Sequence, residues 1–231
     1  LRYVAVVTLA TFFDFNGVLV DDEHLHQQCF NDVLVSRGLS AVSEALYNER
    51  YLGFDDRGAF SAMLSDLGAP FTDALIDALI AQKAVEYERR AKAELRLFDG
   101  AASAVRAAAG AGPVVVVSGA LRPEIELGLA ALDVRSSVAH IVAAEDVLRC
   151  KPDPEGYLLA LGWLRATHPD VRRSDVIVIE DSLAGVDSAR AAGLAVWAVE
   201  HSYPEQLLLE HRATRVARTL LELVAPLEAR R

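Results

Sequence analysis

A carboxylate, a hydroxyl, an ammonium group and an acidic pair stand beside short apolar runs of this chain. The carboxylate is Asp14, in Phe12-Phe13-Asp14-Phe15-Asn16-Gly17-Val18-Leu19. Hydrophobic residues lead directly to it, and Gly17 follows where the chain must turn. A carboxylate at the end of a buried strand can act as a nucleophile or a metal ligand. Ser118-Gly119 follows the valine run at 114–117, and Glu180-Asp181-Ser182 follows the run at 176–179. Lys151-Pro152 lies in a loop ahead of a helical stretch. Together they supply a nucleophile, a hydroxyl with free backbone amides, a fixed cation and an acidic pair for a metal. That set suits phosphoryl transfer, which depends on positioning and on neutralising the phosphoryl oxygens. Taken singly, each has a plain structural role as turn former, loop or helix cap.

These groups can meet only if their strands run parallel. Non-alternating apolar runs at 9–13, 113–117, 140–143, 176–179 and 195–199 are each followed by a helical stretch. Such runs suit strands covered on both faces, and alternating βα units predict a doubly wound parallel sheet. Its functional groups then gather at the carboxyl ends of the strands. The interval 20–96 breaks the rhythm, with no convincing strand and helices predicted at 24–37, 44–51, 56–67 and 73–95, the last capped by Asp73. The expected fold is therefore α/β, a core of residues 1–19 and 97–231 with a helical cap at 20–96 inserted above the strand ends.

Composition limits the partners. The 231 residues carry a net charge of −10, and arginine doublets such as Arg89-Arg90 and Arg172-Arg173 are scattered. No basic stripe is present, so nucleic acid is not an expected partner. An acidic protein that handles anions needs local positive charge, which a divalent cation supplies. Cys29 and Cys150 form no metal-binding pattern and read as reduced thiols of a cytoplasmic protein. The apolar start at residues 3–13 is too short for a membrane span and lacks the features of a signal peptide.

In order and context these groups resemble the haloacid dehalogenase superfamily, and most nearly its β-phosphoglucomutase-like phosphatases and mutases with a helical cap. The likeness covers nearly the whole chain. Asp14 to Leu19 resembles the first motif, Ser118-Gly119 the second, Lys151-Pro152 the third and Glu180-Asp181-Ser182 the fourth. It implies that Asp14 attacks phosphorus and forms an aspartyl-phosphate. It implies Mg²⁺ on Asp14, the main-chain carbonyl of Asn16 and Asp181, with Glu180 as a direct or water-mediated neighbour. Ser118 and Gly119, together with Gly17, would hold phosphoryl oxygens, and Lys151 would neutralise charge. The substrate would be a small phosphorylated metabolite.

In the cap, His26 matches a histidine of the sugar-phosphate mutases and reads equally as an exposed helix residue. Arg57, in Gly53-Phe54-Asp55-Asp56-Arg57, resembles an anion-binding cap arginine displaced by one position, and Asp56 at the mutase position counts against a mutase. Lys83 with Tyr87 reads as a cap pattern or as a surface ion pair, and Arg122 as an anion ligand or a helix-end charge. Lys83 and Lys92 are the cap lysines that a Schiff-base phosphonatase would need.

Asn16 departs from the resemblance, because the related phosphatases carry an acid–base Asp two residues after the nucleophile. An amide has no titratable proton near neutral pH. The readings are a substrate with a good leaving group, a substitute among Asp21, Asp22, Glu23, His24 and His26, a binding protein without turnover, or an introduced Asp→Asn change that traps an intermediate. Asn16-Gly17 is also a step at which deamidation would regenerate Asp. The expectation is a Mg²⁺-dependent phosphatase, with a catalytically impaired phosphate-binding protein or a phosphomutase as alternatives.

Overall fold

A computed structural model describes residues 9–230 of the chain, so the apolar residues 3–8 lie outside the described residues. Its strands are β1 Ala10–Phe13, β2 Val20–Asp21, β3 Arg96–Leu97, β4 Val114–Val117, β5 His140–Val142, β6 Val176–Glu180, β7 Ala195–Val199 and β8 Arg215–Ala217. Its helices are α1 Glu23–Ser36, α2 Glu44–Arg50, α3 Asp56–Asp66, α4 Asp73–Glu94, α5 Ala101–Ala109, α6 Arg122–Ala131, α7 Glu155–Thr167, α8 Leu183–Ala191, α9 Glu205–Glu210 and α10 Leu221–Glu228.

Six strands form one parallel sheet in the order β5-β4-β1-β6-β7-β8. The fully buried stretches of β1, β4 and β6 explain their unbroken apolar sequences. Side chains alternate between two layers. Phe13, Val116 and Ile179 pack on one face against α5, α6 and α10, while Phe12, Val117 and Val178 pack on the other against α7 and α8. Burying each such side chain stabilises the fold by about 1.5–3 kcal/mol. Phe13 pairs with Val116 on one side and Ile179 on the other. That register brings Asp14, Ser118 and Asp181 out at the same edge.

Helices α1–α4 gather around their own apolar cluster, which includes Phe30, Tyr47, Tyr51, Phe60, Met63 and Ile76. A second, smaller cluster of Leu25, Cys29, Tyr87 and Ala91 meets Leu127 on α6. The expectation of no strand within 20–96 needs correction. The stretch opens with β2, whose antiparallel partner β3 begins at Arg96, and Val20 faces Leu97. Two-residue strands are too short to show a period. The cap of α4 is also corrected. Thr72 Oγ1 accepts from the Leu75 amide at 3.2 Å, and Asp73 takes the first helical position, where its charge suits the helix dipole. Edge strand β8 went unanticipated because only three residues pair there and Arg215 and Val216 remain accessible. No helix among the described residues is long and apolar enough to cross a membrane.

Candidate active site

A cleft of about 540 Å³ lies between the strand ends and helices α1–α3, lined by Asp14, Asn16, Gly17, Ser118, Gly119, Lys151 and Asp181 among others. Asp14 leaves β1 with its amide donating to the Ile179 carbonyl at 3.0 Å. Lys151 Nζ lies 2.8 Å from Asp14 Oδ1 and 2.7 Å from Glu180 Oε1. The loop carrying Lys151 is fastened by Ser188 Oγ, which donates to the Asp153 carbonyl at 2.7 Å. Burial opposes charging of Lys151, but Asp14 and Glu180 outweigh it and hold the ammonium above its ordinary range. Ser118 Oγ accepts from the Ala120 amide at 3.1 Å and donates to Asn16 Oδ1 at 3.3 Å. The Gly119 amide has no hydrogen-bond partner among the described residues. An open amide beside a hydroxyl is a ready seat for an anionic oxygen.

Glu180 and Asp181 are adjacent but differently used. Glu180 Oε1 accepts from Lys151 and from the Tyr157 hydroxyl at 3.0 Å. Its Oε2 accepts from the amides of Asp181 and Ser182 at 3.0 and 3.2 Å and from Ser182 Oγ at 3.1 Å. A Cβ on Gly185 would stand 1.7 Å from Glu180 Oε1, so a glycine is required for this seat. Asp181 faces the cleft and accepts from Ser202. A Cβ on Gly17, whose φ is +73°, would stand 2.2 Å from Asp181 Oδ2. Glycine therefore allows both the left-handed turn and the approach of the carboxylate.

Asp14, Glu180 and Asp181 each present a carboxylate oxygen, all within 4.8 Å of one another. One ammonium does not balance three buried carboxylates. Burial, then Glu180, push Asp14 up to about 7 against the pull of Lys151. Burial, then Glu180 and Asp14, push Asp181 well above the carboxylate range. A hard divalent cation fits this oxygen set and relieves its excess charge.

Asn16 takes part in a buried polar network. Its Nδ2 donates to Asp22 Oδ1 and Oδ2 at 3.1 and 2.9 Å. Asp22 also accepts from the Tyr87 hydroxyl, and His26 Nε2 lies 3.2 Å from Asp22 Oδ2. Burial opposes ionisation of Asp22, but His26, Tyr87 and Asn16 together hold its carboxyl below the usual range. Lys83 Nζ lies 2.7 Å from His26 Nδ1 and 2.6 Å from Asp56 Oδ1, with Glu124 of α6 at 3.8 Å. An ammonium only donates, so His26 Nδ1 accepts from Lys83, while His26 Nε2 lies 3.1 Å from Asn16 Nδ2.

Several expectations need correction here. His26 is buried rather than exposed, because Asp22 and Lys83 grip both ring nitrogens. Lys83 is fully buried and not a surface residue, since it faces α1, α3 and α6 together. Arg57 does not line the cleft but pairs with Asp77 on the exposed side of α3 and α4. Asp55 and Asp56 face the cleft in its place, because Asp55 caps α3 by accepting from the Gly58 amide at 3.0 Å. Arg122 pairs with Asp146 and serves as the helix-end charge. Lys92 pairs with Glu88 in solvent, and neither it nor Lys83 lines the cleft. Sequence reasoning missed Tyr157, Ser202, His201 and Glu124. His201 Nδ1 donates to the Gly17 carbonyl at 2.7 Å while its ring stacks on Phe98. None of these has a local sequence signal, and only the meeting of distant elements reveals them.

A family model described as haloacid dehalogenase-like hydrolase matches residues 11–199. Protein CbbY of Rhodobacter capsulatus is 30% identical over 193 residues, covering 81% of this chain and 83% of that protein. A phosphorylated carbohydrates phosphatase of Thermotoga maritima is 28% identical over 213 residues, covering 90% of this chain and 94% of its own length. The crystal structure of CbbY from Rhodobacter sphaeroides in complex with phosphate superposes with a TM-score of 0.82. It covers 94% of this chain and 96% of the other, and at 24% identity the likeness speaks for the fold. The matched span contains every strand-end group from Asp14 to Asp181, and the chain belongs to the haloacid dehalogenase-like hydrolases.

Proposed function

We propose that this phosphoric monoester hydrolase cleaves a small organic phosphate of sugar type through an aspartyl-phosphate on Asp14. The contact of Lys151 with Asp14 at 2.8 Å, beside the open Gly119 amide, is the observation that carries this reading. Asp14 attacks phosphorus, the ester P–O bond breaks and the leaving oxygen departs with the bonding pair, taking its proton from solvent water. Water then cleaves the acyl phosphate and restores the Asp14 carboxylate. Ser118 Oγ and the Gly119 amide hold phosphoryl oxygens, and Lys151 offsets their charge. Gly17, expected to join them, does not, because its amide donates to the Val20 carbonyl at 2.9 Å and its carbonyl accepts from His201. Glu180 and Tyr157 keep Lys151 in place.

Mg²⁺ would sit on Asp14, Asp181 and the Asn16 main-chain carbonyl, with Glu180 beside it, and would lend positive charge to the phosphoryl group. Helices α1–α4 act as a cap, the α/β core being 1–19 and 97–231, and this cap excludes water and presents the alcohol-binding wall. The sugar-type substrate is favoured by the likeness to the phosphorylated carbohydrates phosphatase of Thermotoga maritima.

The Asn16 amide is engaged by Asp22 and gives no proton to a leaving oxygen. Acid–base help is typically worth about 10²–10⁴-fold. Acyl and aryl phosphates, which leave unaided, should therefore turn over far faster than alkyl phosphates. The same contact favours a second reading, a phosphate-binding protein with impaired turnover. Steady-state assays of acyl, aryl and alkyl phosphates with Mg²⁺, on wild type and Asp14→Ala, separate the two. Turnover lost in Asp14→Ala supports the hydrolase. Binding of phosphate without turnover of any ester supports the second reading.

A further inference from the structure

Residues 21–56 add carboxylates to the cleft lining beyond those at its phosphoryl end. Lys151 is the sole Lys or Arg lining the cleft among the described residues, and its ammonium already faces Asp14 and Glu180. Asp21, Glu23, Asp55 and Asp56 all line the same cleft. Arg57, the nearest arginine in sequence, is drawn outward to Asp77 and is half exposed. The Asp56 carboxylate accepts from Lys83 through Oδ1, while its Oδ2 is buried with no hydrogen-bond partner. Glu23 Oε1 accepts from the Tyr47 hydroxyl at 2.5 Å, which leaves the other Glu23 oxygen and the Tyr47 oxygen as acceptors. The phosphoryl end of the cleft is thus built for an anion, and the lining drawn from residues 21–56 offers acceptors.

Resting on the hydrolase reading above, we propose that this cleft selects the monophosphate of a polyhydroxylated alcohol bearing an amino group, and rejects a second phosphate. An ammonium near Glu23 and Asp56 gains charge-assisted hydrogen bonds, and sugar hydroxyls satisfy the remaining acceptors. A second phosphate would meet like charge there with no arginine to receive it.

The test compares kcat/KM for glucosamine 6-phosphate, glucose 6-phosphate and fructose 1,6-bisphosphate with Mg²⁺. The first pair differs only by an amine in place of a hydroxyl. The expected preference for the amine is roughly tenfold, the size of one charge-assisted hydrogen bond. The bisphosphate should fall below glucose 6-phosphate by a similar factor. Asp56→Asn and Glu23→Gln, which keep side-chain shape, should each move the amine preference toward unity. A preference at or below unity, a bisphosphate cleaved as well as glucose 6-phosphate, or a preference unmoved by both variants would overturn the proposal. Cleavage of glucose 6-phosphate through Asp14 without an amine preference removes this inference alone. Absence of cleavage removes the hydrolase reading instead. Isothermal titration of the same two sugars then still reads the preference, and equal affinity overturns it.

Discussion

Restoring a carboxylate at position 16 should not by itself restore an acid–base catalyst. The Asn16 amide donates to both Asp22 oxygens at 3.1 and 2.9 Å, and Asp22 is fully buried. Asn16→Asp replaces that donor with an acceptor at the same distance. Two unit charges about 3 Å apart repel by roughly 5–6 kcal/mol at an effective dielectric of about 20. The pair avoids most of this by retaining one proton, so one carboxyl is raised in the folded state. A carboxyl raised on folding binds its proton more tightly in the native than in the unfolded chain. Stability therefore falls as pH rises from the unfolded carboxyl value through the raised one. We expect Asn16→Asp to lose about 2–4 kcal/mol at pH 8, and less at pH 5. Adding Asp22→Asn returns a donor facing the new carboxylate. The double variant should recover about 2 kcal/mol or more over the sum of the singles. It should also cleave alkyl phosphates about 10²–10⁴-fold faster than wild type. Urea unfolding at both pH values and steady-state kinetics read these outcomes. If Asn16→Asp alone is as stable as wild type at pH 8 and as active as the double variant, the reasoning from Asp22 fails.

Three other perturbations have definite expected outcomes. Gly17→Ala puts a Cβ 2.2 Å from Asp181 Oδ2 at a φ of +73°. It should cost about 1–3 kcal/mol and weaken Mg²⁺-induced thermal stabilisation, which a melting series in Mg²⁺ measures. Lys83→Met leaves Asp56 and Glu124 facing each other without their cation, and urea unfolding should show a loss of about 3–5 kcal/mol. Burial, then Asp55, push the Cys150 thiol up to about 12. At pH 8 iodoacetamide should therefore alkylate Cys150 roughly 10³-fold more slowly than a thiol at its ordinary value, and Asp55→Asn should speed the reaction. A peptide map of the alkylated protein follows that site separately from Cys29.

Strands β1, β4 and β6 were legible because each is buried on both faces, and continuous apolar sequence then has one ready explanation. Asp14, Ser118 and Asp181 could be read as one rim because their apolar runs had to lie parallel. The cap helices were legible from their period, but their functional faces were not. Arg57 and Asp56 are neighbours on α3, and which of them faces the cleft depends on how Asp55 caps that helix. His26 and Lys83 could each be read as a cap-site residue or as a surface residue, because a helix sequence does not reveal that a third element will cover it. Here that element is α6, whose Glu124 meets Lys83 at 3.8 Å. Asn16 was recognised as a departure from the first motif. The donors and acceptors around it belong to residues as distant as Tyr87, reached through Asp22.

Consecutive residues of an extended strand point to opposite sides. At the end of β6, Glu180 turns inward to Lys151 and Tyr157, while Asp181 turns to the cleft. A slip of β6 by one residue against β1 would exchange their directions. The lysine would lose its anchor and the rim its free carboxylate in the same move. Enzymatic activity is therefore an assay of strand registration: a chain that collapses with β6 one step out of place can bury nearly the same apolar area and still have no working centre. Refolding yield measured by turnover should lag yield measured by far-ultraviolet circular dichroism whenever such misregistered chains accumulate.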